Sequence, residues 1–178
     1  MSVKPRRVEC MTRTSWISFP QPGAYRTTIA AVVLGIVLLG CQSQPPYEGK
    51  SPAQLQKMLR DADPTVQAQG AIGLSKLGAE ARDAVPELTD LLKSPDVFAR
   101  ESAAMALGKV GPEAKSAVPA LTAALQDPQW SVRRHAALAL GQMGAEAKSS
   151  RPALEKLQSD PHDLVRQAAR DTLQKVPR

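Results

Sequence analysis

Aromatic residues are scarce in this chain: two Trp, two Tyr and two Phe amount to 3% of 178 residues. Sheets are built preferentially from aromatic and β-branched side chains, so this deficit argues against a β-sandwich. The chain has two histidines, His135 and His162, and two cysteines, Cys10 and Cys41. None of these stands at metal-ligand spacing, so no metal and no other cofactor is expected. No glycine-rich phosphate loop is present. Ser131 and His135 lie one helical turn apart, but no third side chain orients them and no oxyanion device accompanies them. A catalytic residue is therefore not assigned, and the chain is read as a non-enzyme.

Long apolar runs are also missing. The uncharged stretch Thr27–Leu39 (TTIAAVVLGIVLL) is 13 residues long, whereas a membrane-spanning helix takes roughly 17–25 apolar residues. It has the size of the apolar region of a secretory signal. Net charge is +6, which on its own suggests a nucleic-acid partner. Its distribution argues otherwise. Five basic residues (Lys4, Arg6, Arg7, Arg13, Arg26) and one acid, Glu9, precede Cys41, and 18 basic and 16 acidic residues follow it. The excess belongs mostly to the first segment, and no nucleic acid is expected to bind.

What the chain has in abundance is Ala and Leu in a repeating pattern. Val132–Gly144 reads VRRHAALALGQMG, Ala99–Gly111 reads ARESAAMALGKVG, and Val66–Gly78 reads VQAQGAIGLSKLG. A fourth copy starts at Val165, and each offset is 33 residues. Leu55, Leu88, Leu121 and Leu154 align at this period, as do Leu74, Leu107, Leu140 and Leu173. Such columns mark a solenoid of stacked units, here 51–83, 84–116, 117–149 and 150–178. Within a unit, Pro86-Glu-Leu88-Thr-Asp-Leu91-Leu92 predicts a short helix A with proline in its first turn. A turn follows at Ser94-Pro95-Asp96, or at Asp127-Pro128 and Asp160-Pro161 in sister units. Helix B carries Ala99, Ala103, Leu107 and Val110 on its inner stripe. Gly111 is expected as its C-terminal cap in the left-handed helical region, with a helical turn before the next helix A.

The motif D-P-x-x-x-V-R-x-x-A-A-x-A-L-G-x-x-G, carried best by Asp127, Pro128, Val132, Arg133, Ala136, Ala137, Leu140, Gly141 and Gly144, resembles HEAT-like repeats of the short phycobilisome-lyase type. The resemblance covers 51–178 and implies an all-α right-handed α-solenoid of about four helix pairs. The His–Glu motifs of iron-binding hydroxylases among HEAT-like proteins are absent, and a bilin-lyase activity rests on the repeat name alone. Arg100, Arg133 and Arg166 form one column, with Gln67 in the first unit. Asp61, Asp127 and Asp160 form another, with Ser94 in the second. In this family such columns are generally structural ladders; an anionic-ligand stripe is the alternative. Trp130, Arg134 and His135, with Phe98 one unit earlier, are the candidate partner contacts, since Trp and Arg favour interface hot spots; loop packing is the alternative for Trp130.

In the fourth unit Ala71, Ala104 and Ala137 give way to Arg170. Leu59, Leu92 and Leu125 give way to Gln158, and Ile72, Met105 and Leu138 to Asp171. Apolar positions that would meet a following unit turn polar, as a terminal capping repeat requires, so the array is expected to be complete at Arg178. Gly70 and Gly73 weaken helix B of the first unit by about 1 kcal/mol each against Ala, which marks that unit as the first to fray.

Leu38-Leu39-Gly40-Cys41 after the apolar run resembles the lipobox of bacterial lipoproteins. That resemblance implies a signal peptide over 1–40, cleaved before Cys41, and acyl chains (palmitate among them) on Cys41. A short membrane anchor is the alternative, and either Met1 or Met11 serves as the start. Residues 41–50 then form the lipidated Cys and an extended polar tether. Gln42 after the Cys leans towards an outer-membrane address facing the periplasm. The chain is thus expected to be a lipid-anchored interaction scaffold of the bacterial cell envelope with an unidentified protein or peptide partner. The alternatives are a constitutive structural subunit or a lyase-type enzyme.

Overall fold

The computed structural model describes residues 45–177, and the expected signal peptide and Cys41 lie outside them. The described residues form eight α-helices and no strand. Four short helices, α1 (Pro52–Met58), α3 (Val85–Leu91), α5 (Val118–Ala124) and α7 (Arg151–Leu157), alternate with four long ones. The long helices are α2 (Pro64–Leu77), α4 (Val97–Val110), α6 (Trp130–Met143) and α8 (Asp163–Lys175). The chain is an all-α solenoid of repeated helix pairs. The helical turn expected before each short helix is a seven-residue 3₁₀ segment: Gly78–Ala84, Gly111–Ala117 and Gly144–Ser150.

Local chemistry sets the boundaries. Ser51 and Gln54 form a capping box at α1, with Pro52 in the first turn. Asp63 accepts a hydrogen bond from the Thr65 amide at the start of α2, and Asp96 from the Ala99 amide at the start of α4. Gly78, Gly111 and Gly144 stop the long helices at φ of 57°, 76° and 58°, with ψ of −128°, −141° and −118°. This is not the left-handed helical conformation expected for Gly111. It lies in the mirror image of the β region, where even Asn has no foothold, so the glycine is required more strictly than a left-handed cap requires it. The fourth unit has no such glycine. There Arg151 Nη1 donates to the carbonyls of Val176 (2.7 Å) and Leu173 (3.3 Å) and satisfies the end of α8.

Long helices pack directly on one another, α2 on α4, α4 on α6 and α6 on α8, and their backbones approach more closely than those of successive short helices. The close approach depends on Ala and Gly. Ala103, Ala104, Ala136, Ala137 and Ala169 are fully buried, and a Cβ on Gly108 would stand 2.9 Å from the Ala139 Cα. The Leu55, Leu88, Leu121 and Leu154 column fills the space between the layers. Burial of an aliphatic side chain contributes roughly 1.5–3 kcal/mol, so this one column is worth more than any cap.

Three details depart from the sequence-based expectations. Gly70 and Gly73 are more than weak helix formers. Added Cβ atoms would meet Met58 Cβ at 2.8 Å and Leu55 Cδ2 at 2.5 Å, so both glycines admit α1 against α2. Residues 45–50 are not an extended spacer, because they fold into turns and Tyr47 packs on the core beside Gly73, with Lys76 Nζ 4.6 Å from its ring centroid. Ile72, Met105 and Leu138 are only half-buried and line the open side of the long helices, unlike the Ala104 and Leu92 columns, which are sealed between units. At the last unit Gln158, Arg170 and Asp171 are exposed.

Candidate functional site

Each side chain of the two polar columns has a defined partner, and two of the ion pairs, Arg100–Asp127 and Arg133–Asp160, run between units. Arg100 donates from Nε and Nη2 to the Asp127 carboxylate at 2.7 and 3.0 Å, and from Nη1 to the carbonyls of Ser94 and Pro95. Arg133 repeats this one unit later, with Asp160 at 2.7 and 3.0 Å and the carbonyls of Asp127 and Pro128. These side chains are only 5–13% exposed. Burial raises the pKa of Asp127 and Asp160, but arginine hydrogen bonds, an amide donor and arginine charge outweigh it and hold both below the ordinary carboxylate range. The Asp127 hydrogen bond likewise raises Arg100. Arg166 donates to the carbonyls of Asp160 and Pro161 and pairs with Asp163. Most guanidinium donors of Arg100 and Arg133 are thus committed within the array, which argues against an anion-binding stripe.

Between the first two units both ends of the rung are replaced. Gln67 donates to the Asp61 carbonyl (2.7 Å), and Ser94 Oγ accepts from the Asp96 amide (3.3 Å). A groove of about 490 Å³ opens there, lined by Arg60, Gln67, Glu87, Asp90, Lys93 and Ser94 among others. The ion pair at this junction sits instead between short helices: Arg60 Nη2 is 2.5 Å from Glu87 Oε1, which also accepts from Gln56 Nε2 at 2.9 Å.

The candidate contacts separate into two kinds. His135 is held: its Nδ1 lies 2.9 Å from the Ser131 carbonyl and 3.3 Å from Glu101 Oε1. That arrangement places the ring proton on Nδ1, since both oxygens accept. Trp130 stacks flat on His162 of the next unit, with centroids 4.0 Å apart and planes 2° apart, yet remains 38% exposed. Phe98 is 51% exposed, and Arg134 is half-buried without an ion-pair partner among the described residues.

Trp130, Arg134, Leu138 and Gln142 follow one another at four-residue steps and share one face of α6. On α4 the same face carries Phe98, Glu101, Met105 and Lys109. Between these helices Ala104, Met105, Gly108, Lys109, His135, Leu138, Ala139 and Gln142 line a cleft of about 160 Å³. Met105, Leu138, Lys109 and the exposed Leu164 were not among the sequence-derived candidates. The i, i+4 spacing from Trp130 to Leu138 was the available signal. That signal is ambiguous, because the column Ile72, Met105, Leu138 reads equally well as packing between units. Among the described residues no group of three or more His, Cys, Asp or Glu is placed to hold a metal ion, and no helix is long and apolar enough to cross a membrane.

Paired short and long helices in register, joined by buried Arg–Asp rungs, define a repeat solenoid, a fold typical of protein-interaction scaffolds. The sequence profile of HEAT repeats matches residues 51–116 and 112–174, and the chain belongs to the HEAT repeat family. No curated protein matches it by sequence. Three solved structures are similar. A designed armadillo repeat protein in complex with the peptide (KR)4 is 21% identical (TM-score 0.61; 69% of this chain, 63% of that one). The complex of CpcE and CpcF of phycocyanin lyase from Nostoc sp. PCC7120 is 21% identical (TM-score 0.59; 67% and 78%). Human deoxyhypusine hydroxylase is 29% identical (TM-score 0.57; 74% and 45%). The chain spans less than two thirds of the length of the engineered repeat proteins it matches.

Proposed function

We propose that this protein is a lipid-anchored, non-enzymatic scaffold of the bacterial cell envelope that docks a protein partner on the face of its long helices. The observation carrying the docking role is the open apolar row on that face. Phe98 is exposed, and Ile72, Met105 and Leu138 are half-buried, although this column could have been sealed as the Ala104 and Leu92 columns are. Repeat arrays present extended surfaces of this kind to partners, and the similar designed armadillo protein was solved with a peptide. A photocrosslinker at Gln142 or Gln167 on the long-helix face should capture a defined partner. The same crosslinker at Ala123 or Lys156 on the short-helix face should not. Capture from the short-helix positions alone would place the interface elsewhere.

The anchor rests on Leu38-Leu39-Gly40-Cys41 behind the apolar run. Acyl chains on Cys41, at about 0.8 kcal/mol per buried methylene, would retain the array at the bilayer. Cys41→Ser should yield an unprocessed precursor without lipid. Normal processing and membrane retention of that variant would overturn the anchor.

A further inference from the structure

We infer that the cleft between α4 and α6 receives an extended partner segment lengthwise, through one bulky aliphatic side chain flanked two residues away on each side by a carboxylate, in the pattern Glu-x-Leu-x-Glu. This deepens the docking role above and rests on it.

The apolar part follows from the cleft's construction. Met105 and Leu138 occupy equivalent positions of successive units and both line its walls. The floor is the contact of Gly108 with Ala139, where no larger side chain intrudes. The volume of about 160 Å³ is close to that of a cavity of about 150 Å³ known to hold benzene. It suits one side chain and falls below the range of small-molecule pockets, about 300–1,000 Å³.

The acidic part follows from charge. Glu101, the one carboxylate beside the cleft, lies 3.3 Å from His135 Nδ1. Elsewhere on this face Lys76 sits over Tyr47, Asp163 holds Arg166, and Asp171 and Lys175 belong to α8. Lys109 and Arg134 remain, without an ion-pair partner among the described residues. A lysine in the last turn of a helix is favoured by the helix dipole, which accounts for Lys109 as it does for Lys76 and Lys175. The dipole disfavours Arg134, which is in the second turn of α6, and its counterparts Ala68, Glu101 and Gln167 are not basic.

The spacing follows from the helix register. Arg134 is four residues before Leu138, and Lys109 four residues after Met105. At about 1.5 Å per residue each cation stands roughly 6 Å along its own helix from that helix's apolar residue, in opposite directions. Alternate residues of an extended chain are about 6.6 Å apart. A strand with carboxylates at −2 and +2 from its aliphatic residue meets both cations while that residue enters the cleft.

Fluorescence anisotropy of the labelled peptide GESLSEG with the full chain tests this, against GKSLSKG and the respaced GESSLSSEG. GESLSEG should bind at least about tenfold more tightly than either control, a difference of about 1.4 kcal/mol. Lys109→Glu with Arg134→Glu should reverse the preference towards GKSLSKG, and Leu138→Ser should weaken binding of GESLSEG without moving the unfolding midpoint. Absence of saturable binding, equal affinity for the three peptides, or a preference unchanged in the doubly reversed variant would overturn the inference. If crosslinks from Gln142 and Gln167 persist when the peptides fail, the docking face stands and the Glu-x-Leu-x-Glu assignment falls. If crosslinks arise only from Ala123 and Lys156, both fall.

Discussion

The junction between the first and second units and the junction between the second and third join equivalent helix pairs with their ion pairs in different layers. At the later junction Arg100 and Asp127 form a two-pronged pair about a tenth exposed, beside the start of the long helices. At the earlier one Gln67 and Ser94 stand in those places, and Arg60 with Glu87 pairs across the short helices, the arginine side chain 71% exposed. An ion pair at the surface contributes little because water competes for both partners. A buried pair is costly to break, since the surviving charge loses its partner without regaining solvent. The difference teaches that the two polar columns are one device. Gln67 and Ser94 are opposite ends of a single missing rung, and the groove of about 490 Å³ lies where it would have been.

Breaking the later rung has the largest expected effect. Asp127→Ala strands Arg100 and should cost about 3 kcal/mol or more, read as a lowered urea midpoint with hydrogen-exchange protection lost in α4 and α6. The ion pairs of both junction types set an acid response. Asp127, Asp160 and Glu87 are all depressed in the folded state, so their contribution is present above the unfolded values of about 3.9 for Asp and 4.3 for Glu. It is lost as pH falls through their lower folded values. Asp127→Asn with Asp160→Asn should flatten the stability profile below about pH 4; a profile as steep as that of the parent would refute the assignment.

Next in size is backbone contact. Gly108→Ala at the later junction meets the Ala139 backbone at 2.9 Å and should cost about 1–3 kcal/mol, more than its helix propensity returns. Gly73→Ala at the first unit meets the Leu55 and Tyr47 side chains, which can yield, and should cost less. A thermal scan showing Gly73→Ala as the more damaging change would reverse this ranking. Smaller again is Glu87→Ala, at about 1 kcal/mol or less because its arginine is solvated, measured by urea unfolding. Smallest is a gain. Gln67→Arg with Ser94→Asp should install the missing rung and raise first-unit protection by a few tenths of a kcal/mol, since a new pair gives back most of its attraction as desolvation. Slower amide exchange in α2 would register it, and faster exchange would mean that the groove cannot close over a guanidinium.

Much of this architecture is legible in the sequence. Leu columns at a period of 33 gave the units, and Pro86, Asp96 and Gly111 marked where helices begin and end, because caps and turns act over three or four residues. The candidate site was legible only in part. Phe98, Trp130 and Arg134 stand out as departures from the repeat. The column Ile72, Met105, Leu138 does not, because an apolar residue at helical spacing looks the same whether a neighbouring unit covers it or leaves it open. His135 looked free and is held by Ser131 and Glu101; Gly70 and Gly73 looked weak and are contact surfaces.

Local chemistry and periodicity in the sequence alone determined that four helix pairs stack in register, with Arg and Asp columns between them, since such signals act at short range and recur in every unit. Only the tertiary structure decided which unit's arginine meets which unit's aspartate, which apolar columns are sealed, and how closely α4 approaches α6. Those outcomes depend on distances between residues about thirty positions apart, where the presence or absence of a single Cβ, as at Gly108, sets the spacing.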